Sequence, residues 1–139
     1  MRALVILASF ALWTPAIAQQ QPPTATSPQS RCAELGEKMM EENDIGMALS
    51  QVSRYDPRTN RCYVELIVLT PDFTKLQGVF HRNLFDGQTK ELLASASRDN
   101  DRPMGGQVFD RQHRPASSTN NGYDDTNEYI DQMMTEDRK

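Results

Sequence analysis

The clearest hydrophobic pattern of the chain covers residues 61–70, with the sequence RCYVELIVLT. Side chains alternate between the two faces of a β-strand, so one face receives Cys62, Val64, Leu66 and Val68. The other face receives Tyr63, Glu65, Ile67 and Leu69. Because both faces are largely apolar, we predict a central strand that is covered on both sides.

Weaker strand patterns lie on either side of this segment. Residues 47–55 form the first, and residues 56–60, DPRTN, predict the turn that leads into the central strand. Residues 79–85 and 90–96 flank Asp86-Gly87, and Asp-Gly is typical of a β-hairpin turn. The patterns predict an antiparallel sheet of three to four strands.

A helix is predicted directly before these strands. Ser27 fits an N-cap and Pro28 fits the first helical position. Cys32, Leu35 and Met39 then recur at helical spacing, so the helix has one apolar face with Cys32 on it.

A second amphipathic helix is predicted within residues 123–139. Its apolar stripe consists of Tyr129, Ile130, Met133 and Met134. A short isolated helix is marginal in water, so this stripe needs a cover. We expect it to dock on the strand face that carries Tyr63, Ile67 and Leu69, and binding to another protein is the alternative.

Two segments are too polar to belong to a packed core. Residues 19–29, QQQPPTATSPQ, predict a disordered leader. Residues 98–122 contain four apolar side chains among 25, which predicts a flexible linker. The folded core is then expected over residues 30–97.

The first 18 residues, MRALVILASFALWTPAIA, are typical of a secretory signal peptide. Arg2 gives a positive start, residues 3–13 form an apolar run, and an A-x-A sequence ends at Ala18. An uncleaved membrane anchor is the alternative. The apolar run is shorter than the roughly 20 residues that a spanning helix needs, so we favour cleavage after Ala18.

Export would place the two cysteines, Cys32 and Cys62, in an oxidising compartment. They allow a single intramolecular bridge, with two free buried thiols as the alternative. A redox centre is disfavoured because the pair is not a C-x-x-C motif. We therefore predict an α+β domain whose N-terminal helix is disulfide-linked to the sheet, followed by a short C-terminal helix.

Composition narrows the classes of function. Apolar residues make up 37% of the 139 residues and charged residues 24%, which suits one small globular domain. The formal net charge of -4 gives no basic field for nucleic acid. Phosphate-loop, zinc-hydrolase and EF-hand motifs are absent from the sequence, so we predict neither a cofactor nor a metal.

One candidate binding patch surrounds the DPRTN turn. Arg58 and Arg61, near Arg54, alternate there with Tyr55 and Tyr63. Arginine and aromatic side chains together recognise anionic or polysaccharide ligands. The alternative is a solvated turn whose arginine stems cover apolar edges.

A second candidate residue is His81, in the middle of a predicted strand. With Glu65 or Glu91 beside it in a concave pocket, it would suit a hydrolase or a ligand site. The alternative is a single solvent-facing histidine, because a metal site needs three or four ligands.

Residues 53–66, SRYDPRTNRCYVEL, and 84–94, LFDGQTKELLA, together with Cys32, resemble small exported proteobacterial proteins of uncharacterised function. The shared pattern is S-x-Y-[DN]-P-x-T-N-x-C-Y-V, followed by a strand pair around a D-G-Q turn. The resemblance implies the Cys32–Cys62 disulfide and a small α+β architecture, and it brings no activity.

The sequence thus predicts a small exported, non-catalytic protein that is periplasmic or secreted. We expect its partner to be another envelope or extracellular protein, with no stable membrane insertion after signal cleavage. The alternative is a small periplasmic hydrolase or ligand-binding protein that uses His81.

Overall fold

The structure, a computed structural model, describes residues 26–44, 46–72, 77–110, 114 and 122–135. In chain order its elements are α1 (Pro28–Glu41), β1 (Met47–Asp56), β2 (Arg61–Asp72), β3 (Gln77–Asp86), β4 (Leu92–Asp99), β5 (Arg102–Val108) and α2 (Tyr123–Met134). The strands form one sheet in the order β1-β2-β3-β4-β5, and each pairs antiparallel with the next. The predicted α+β fold class is confirmed.

Helix α1 begins as the sequence predicts. The Ser27 hydroxyl accepts a hydrogen bond from the Ser30 backbone N–H at 3.1 Å, and Pro28 is the first helical residue. A side chain at Gly36 would overlap those of Gln51 and Ser53 on β1. Glycine at this position therefore lets α1 lie directly on the sheet.

The predicted disulfide joins Cys32 of α1 to Cys62 of β2, with the two Cα atoms 5.4 Å apart. Both residues are buried among the side chains that α1 and β2 share. The bridge fixes the helix to the centre of the sheet, and it indicates an oxidising, non-cytoplasmic environment.

The two faces of β2 build two separate cores, as its pattern predicts. The core under α1 contains Cys32, Met39, Cys62, Val64, Leu66 and Val68. The core under α2 contains Tyr63, Leu84, Ala94, Ala96, Val108 and Ile130. The predicted stripe of α2 therefore docks on the second sheet face, although Ile67 and Leu69 lie half-buried outside that core.

The sheet has five strands rather than the predicted three to four, because β5 lies within the segment 98–122 that was expected to be a linker. This strand contains few apolar residues and two glycines, which hide it from a hydrophobic pattern. A Cβ at Gly106 would lie 2.8 Å from the Gly122 carbonyl oxygen and would overlap Thr126. The glycine thus allows α2 to pack closely on β5.

Several predicted segments lie outside the described residues. These are the signal peptide, residues 19–25 of the leader, residues 111–113 and 115–121 of the linker, and residues 136–139 of the C-terminal helix. The end of the predicted leader is helical, since α1 starts at Pro28. Within the described part of the chain, no helix is long and apolar enough to cross a membrane.

Candidate functional site

The β1–β2 turn is organised by the carboxylate of Asp56. Its Oδ1 accepts the Arg58 backbone N–H at 2.9 Å, and its Oδ2 accepts the Thr59 hydroxyl at 3.0 Å. Asn60 adopts a φ of 54°, which suits asparagine at the end of a turn. The hydrogen bond from Arg58 is the main cause that holds the pKa of Asp56 below its ordinary value. The turn is therefore fixed, and so are the positions from which its arginines project.

The strand register decides which side chains the turn brings together. Arg54 pairs with Tyr63, and Asp56 pairs with Arg61, so all four share the sheet face that α2 covers. Tyr55 pairs with Cys62 and belongs to the opposite face.

A pocket of about 450 Å³ opens between this turn and the C-terminal end of α2. Its lining consists of Arg54, Asp56, Arg58, Thr59, Arg61, Tyr63, Gln132 and Met133. Three arginines thus face one aspartate across the opening, in a chain whose net charge is -4. We call it the arginine pocket.

The arginines at the pocket rim form long ion pairs. Arg58 Nε lies 3.8 Å from Asp56 Oδ1, and Arg61 Nη1 lies 3.8 Å from Asp86 Oδ2. Both distances exceed those of a charge-assisted hydrogen bond, about 2.7–2.9 Å. The side chain of Arg58 is 55% exposed and that of Arg61 is 35% exposed, so both guanidinium groups are open to an incoming anion.

Arg54 forms the inner wall and links it to α2. Its Nη1 donates to the Met133 carbonyl oxygen at 2.6 Å, near the end of the helix. A cation at a helix C-terminus is favourable because the last carbonyl groups carry partial negative charge. Arg54 Nε is buried and lacks a hydrogen-bond partner among the described residues.

The pocket gathers Arg58, Arg61 and Tyr63 of the predicted binding residues, and it leaves out Tyr55 and His81. Tyr55 packs against the core under α1, and its hydroxyl donates to Asn60 Oδ1 at 2.7 Å. The sequence gave no signal for Gln132 and Met133, because their positions depend on how α2 docks.

His81 lies on β3, with its Nδ1 2.8 Å from the Ser97 hydroxyl on β4. Burial lowers its pKa below the ordinary value. Neither predicted carboxylate is its partner. Glu65 is on the opposite sheet face and pairs with Arg82, while Glu91 lies beside the β3–β4 turn, where its carbonyl oxygen accepts the Asp86 N–H at 2.9 Å.

A second pocket, of about 390 Å³, lies between the sheet and the first turns of α2. Phe80 and Tyr123 contribute aromatic rings, and the Arg98 guanidinium carbon is 5.5 Å from the centre of the Phe80 ring. His81 and Asp131 also line it. Its charged groups have mixed signs, whereas the arginine pocket is mostly cationic.

Within the described ranges, no group of three or more His, Cys, Asp or Glu residues could hold a metal ion. Comparison with known proteins adds no family: no family model, curated protein or solved structure matches the chain. The functional argument therefore depends on the geometry of the arginine pocket.

Proposed function

We propose that the protein is a small exported, non-catalytic binding module that holds an anionic group of its partner in the arginine pocket. The observation that carries this proposal is the convergence of Arg54, Arg58 and Arg61 on one concave surface. Guanidinium groups match carboxylate and phosphate oxygens geometrically, because each presents a planar fork of donors.

The surroundings of the pocket support this choice of ligand. Pocket dimensions of about 300–1,000 Å³ are usual for small-molecule sites, and this one has about 450 Å³. Tyr63 supplies an aromatic wall, and its 6% exposure leaves little of the ring for a large apolar ligand. The ligand is therefore an oxyanion on a larger polar molecule rather than an apolar compound.

The proposed location is periplasmic or extracellular. The Cys32–Cys62 bridge and the signal-like residues 1–18 both support it. Trp13 is the single tryptophan, so a chain cleaved after Ala18 lacks tryptophan emission. Intact mass of the exported protein measures the cleavage position directly, and a mass that includes residues 1–18 would contradict this part of the proposal.

Calorimetric titration tests the pocket with two probes, inorganic phosphate and a poly-glutamate peptide. These separate phosphate from carboxylate as the source of the oxyanion. We expect binding of at least one probe that weakens with added salt. Replacement of both rim arginines, Arg58→Glu with Arg61→Glu, is expected to abolish it.

A matched control keeps the test specific. Arg31→Glu with Arg102→Glu changes the net charge equally at two exposed positions outside the pocket lining, and it should retain binding. Because Arg61 is paired with Asp86, a milder pair, Arg58→Gln with Arg61→Gln, covers the case in which charge reversal unfolds the protein. Absence of binding to both probes, or equal loss in the control, contradicts the proposed function.

A second candidate function is hydrolysis, and one observation favours it. The Ser97 hydroxyl lies 2.8 Å from His81 Nδ1, a distance that suits a nucleophile and its base. A fluorophosphonate probe tests it: labelling that disappears in Ser97→Ala supports a hydrolase, and an unlabelled protein removes this candidate.

A further inference from the structure

The sheet has two edge strands, β1 and β5, which differ in their protection against another strand. Edge strands expose unpaired backbone groups, and proteins block them with charges, prolines or bulges. In β5, Arg102 and Pro103 supply a charge and a missing N–H. Residues 47–52 of β1, MALSQV, contain neither a charge nor a proline. The start of β1 is therefore the less protected edge.

The other end of β1 is already occupied from outside. The Gln29 side-chain amide accepts the Tyr55 N–H at 3.0 Å and donates to the Ser53 carbonyl oxygen at 3.4 Å. These are the two bonds that the peptide group of a neighbouring strand would form. Gln29 thus leaves residues 47–52 as the part of this edge on which an extended chain can add.

Large apolar side chains are exposed along this stretch. Met47 is 54% exposed, Leu49 is 44% exposed and Val52 is 55% exposed. The register of β1 shifts between Ala48 and Ser50, so Met47 and Val52 lie on the same sheet face, opposite Leu69 and Glu65 of β2. The bulge twists the edge but leaves both apolar side chains beside each other on one surface.

We propose that two copies of the chain associate through residues 47–52 of β1, in antiparallel pairing that places Met47 of one copy opposite Val52 of the other. A two-fold axis between Leu49 and Ser50 generates this register and keeps both strands clear of Gln29. The pairing extends the five-stranded sheet across the dimer and covers the exposed Met47 and Val52 side chains twice.

Two properties of the edge select a second copy as the occupant. The six residues are uncharged, so self-pairing brings no like charges opposite each other. The edge is also used once by each copy, since β5 is protected by Arg102 and Pro103. An isologous contact with one open edge closes at two chains, whereas two open edges would give a polymer.

Sedimentation velocity and light scattering of the oxidised protein, from micromolar to millimolar concentration, test the dimer. We expect the average mass to rise from that of one chain toward that of two. Val52→Lys is expected to keep the protein monomeric throughout. Met104→Lys is the matched control on β5, because Met104 is 62% exposed, and it should associate like the unmodified chain.

Hydrogen exchange gives the position of the contact. Amide exchange at Leu49, Ser50 and Gln51 should slow as the concentration rises, with no such change on β5. Each copy has a formal charge of -4, so added salt should strengthen the dimer, while it weakens anion binding in the arginine pocket. A monomeric mass at every concentration overturns the proposal, as does equal loss in Val52→Lys and Met104→Lys. The second variant Met47→Lys repeats the test if Val52→Lys does not fold.

Discussion

Arg82 Nη2 lies 2.6 Å from Asp131 Oδ1, so an arginine on β3 holds the side of α2. The same guanidinium donates to Asn127 Oδ1 at 3.2 Å and pairs with Glu65 on β2. Burial acts to lower the pKa of Arg82, and its bonds to Glu65 and Asp131 outweigh this effect, so the pKa lies above its ordinary value. One residue thus joins two strands to the helix that walls both pockets.

Arg82→Ala is expected to lower the free energy of unfolding by about 1–3 kcal/mol, because it leaves the carboxylate of Glu65, which is 8% exposed, without its partner. Urea denaturation measures the loss. Adding Glu65→Gln to this variant removes the unpaired charge and should recover part of it. Asp131→Asn, at a side chain that is 62% exposed, should cost less than about 1 kcal/mol. A larger effect at Asp131 than at Arg82 would contradict this account.

Gly106→Ala is expected to destabilise the docking of α2 by roughly 1–3 kcal/mol, the usual cost of an extra carbon in a packed contact. The new Cβ would overlap Thr126 on α2 and approach the Gly122 carbonyl oxygen to 2.8 Å. Thermal unfolding gives the magnitude, and hydrogen exchange should show the largest acceleration in α2. If exchange in α2 stayed unchanged, the close packing of this helix on β5 would be wrong.

Replacing both bridge residues, Cys32→Ala with Cys62→Ala, should cost about 3–4 kcal/mol, the loop-entropy value for a bridge that spans about 30 residues. Denaturation of the unmodified protein with and without reductant checks the same quantity. The double variant should be insensitive to the reductant. Equal stability of the oxidised and reduced proteins would show that the bridge contributes nothing.

Stability should also fall in mildly acidic solution through His81. Because burial disfavours the imidazolium form, the unfolded chain binds this proton more readily than the folded one. The contribution of neutral His81 is complete above the ordinary imidazole pKa of about 6.5 and is lost as the pH falls through the lower folded value. His81→Gln should flatten the dependence of the urea midpoint on pH in this window. An unchanged slope would assign it to other groups.

Local patterns of the sequence predicted much of the fold. The alternation in residues 61–70 predicted both cores, because the period of two is a property of the strand itself. The stripe around Ile130 likewise predicted the buried side of α2. Strand β5 escaped because its residues 104–108, MGGQV, are selected by contact with α2 rather than by hydrophobicity.

The candidate site was predictable in part. The turn sequence placed Arg58 and Arg61 together, but the separation of Tyr55 from Tyr63 required the strand register. That register follows from the turn length, so the opposite faces of the two tyrosines could have been found from the sequence. The contact of Arg54 with Met133 spans 79 residues and depends on tertiary packing, which no local pattern shows.

The position of Gln29 gives the disulfide a protective role. Gln29 reaches the Ser53 and Tyr55 backbone from the first turn of α1, and Cys32, three residues later, holds that turn against β2. Reduction would release the helix end and lengthen the bare rim of the sheet. A newly synthesised, unoxidised chain is thereby more adhesive than the finished one. Oxidation thus seals half of this rim and confines self-recognition to the other half.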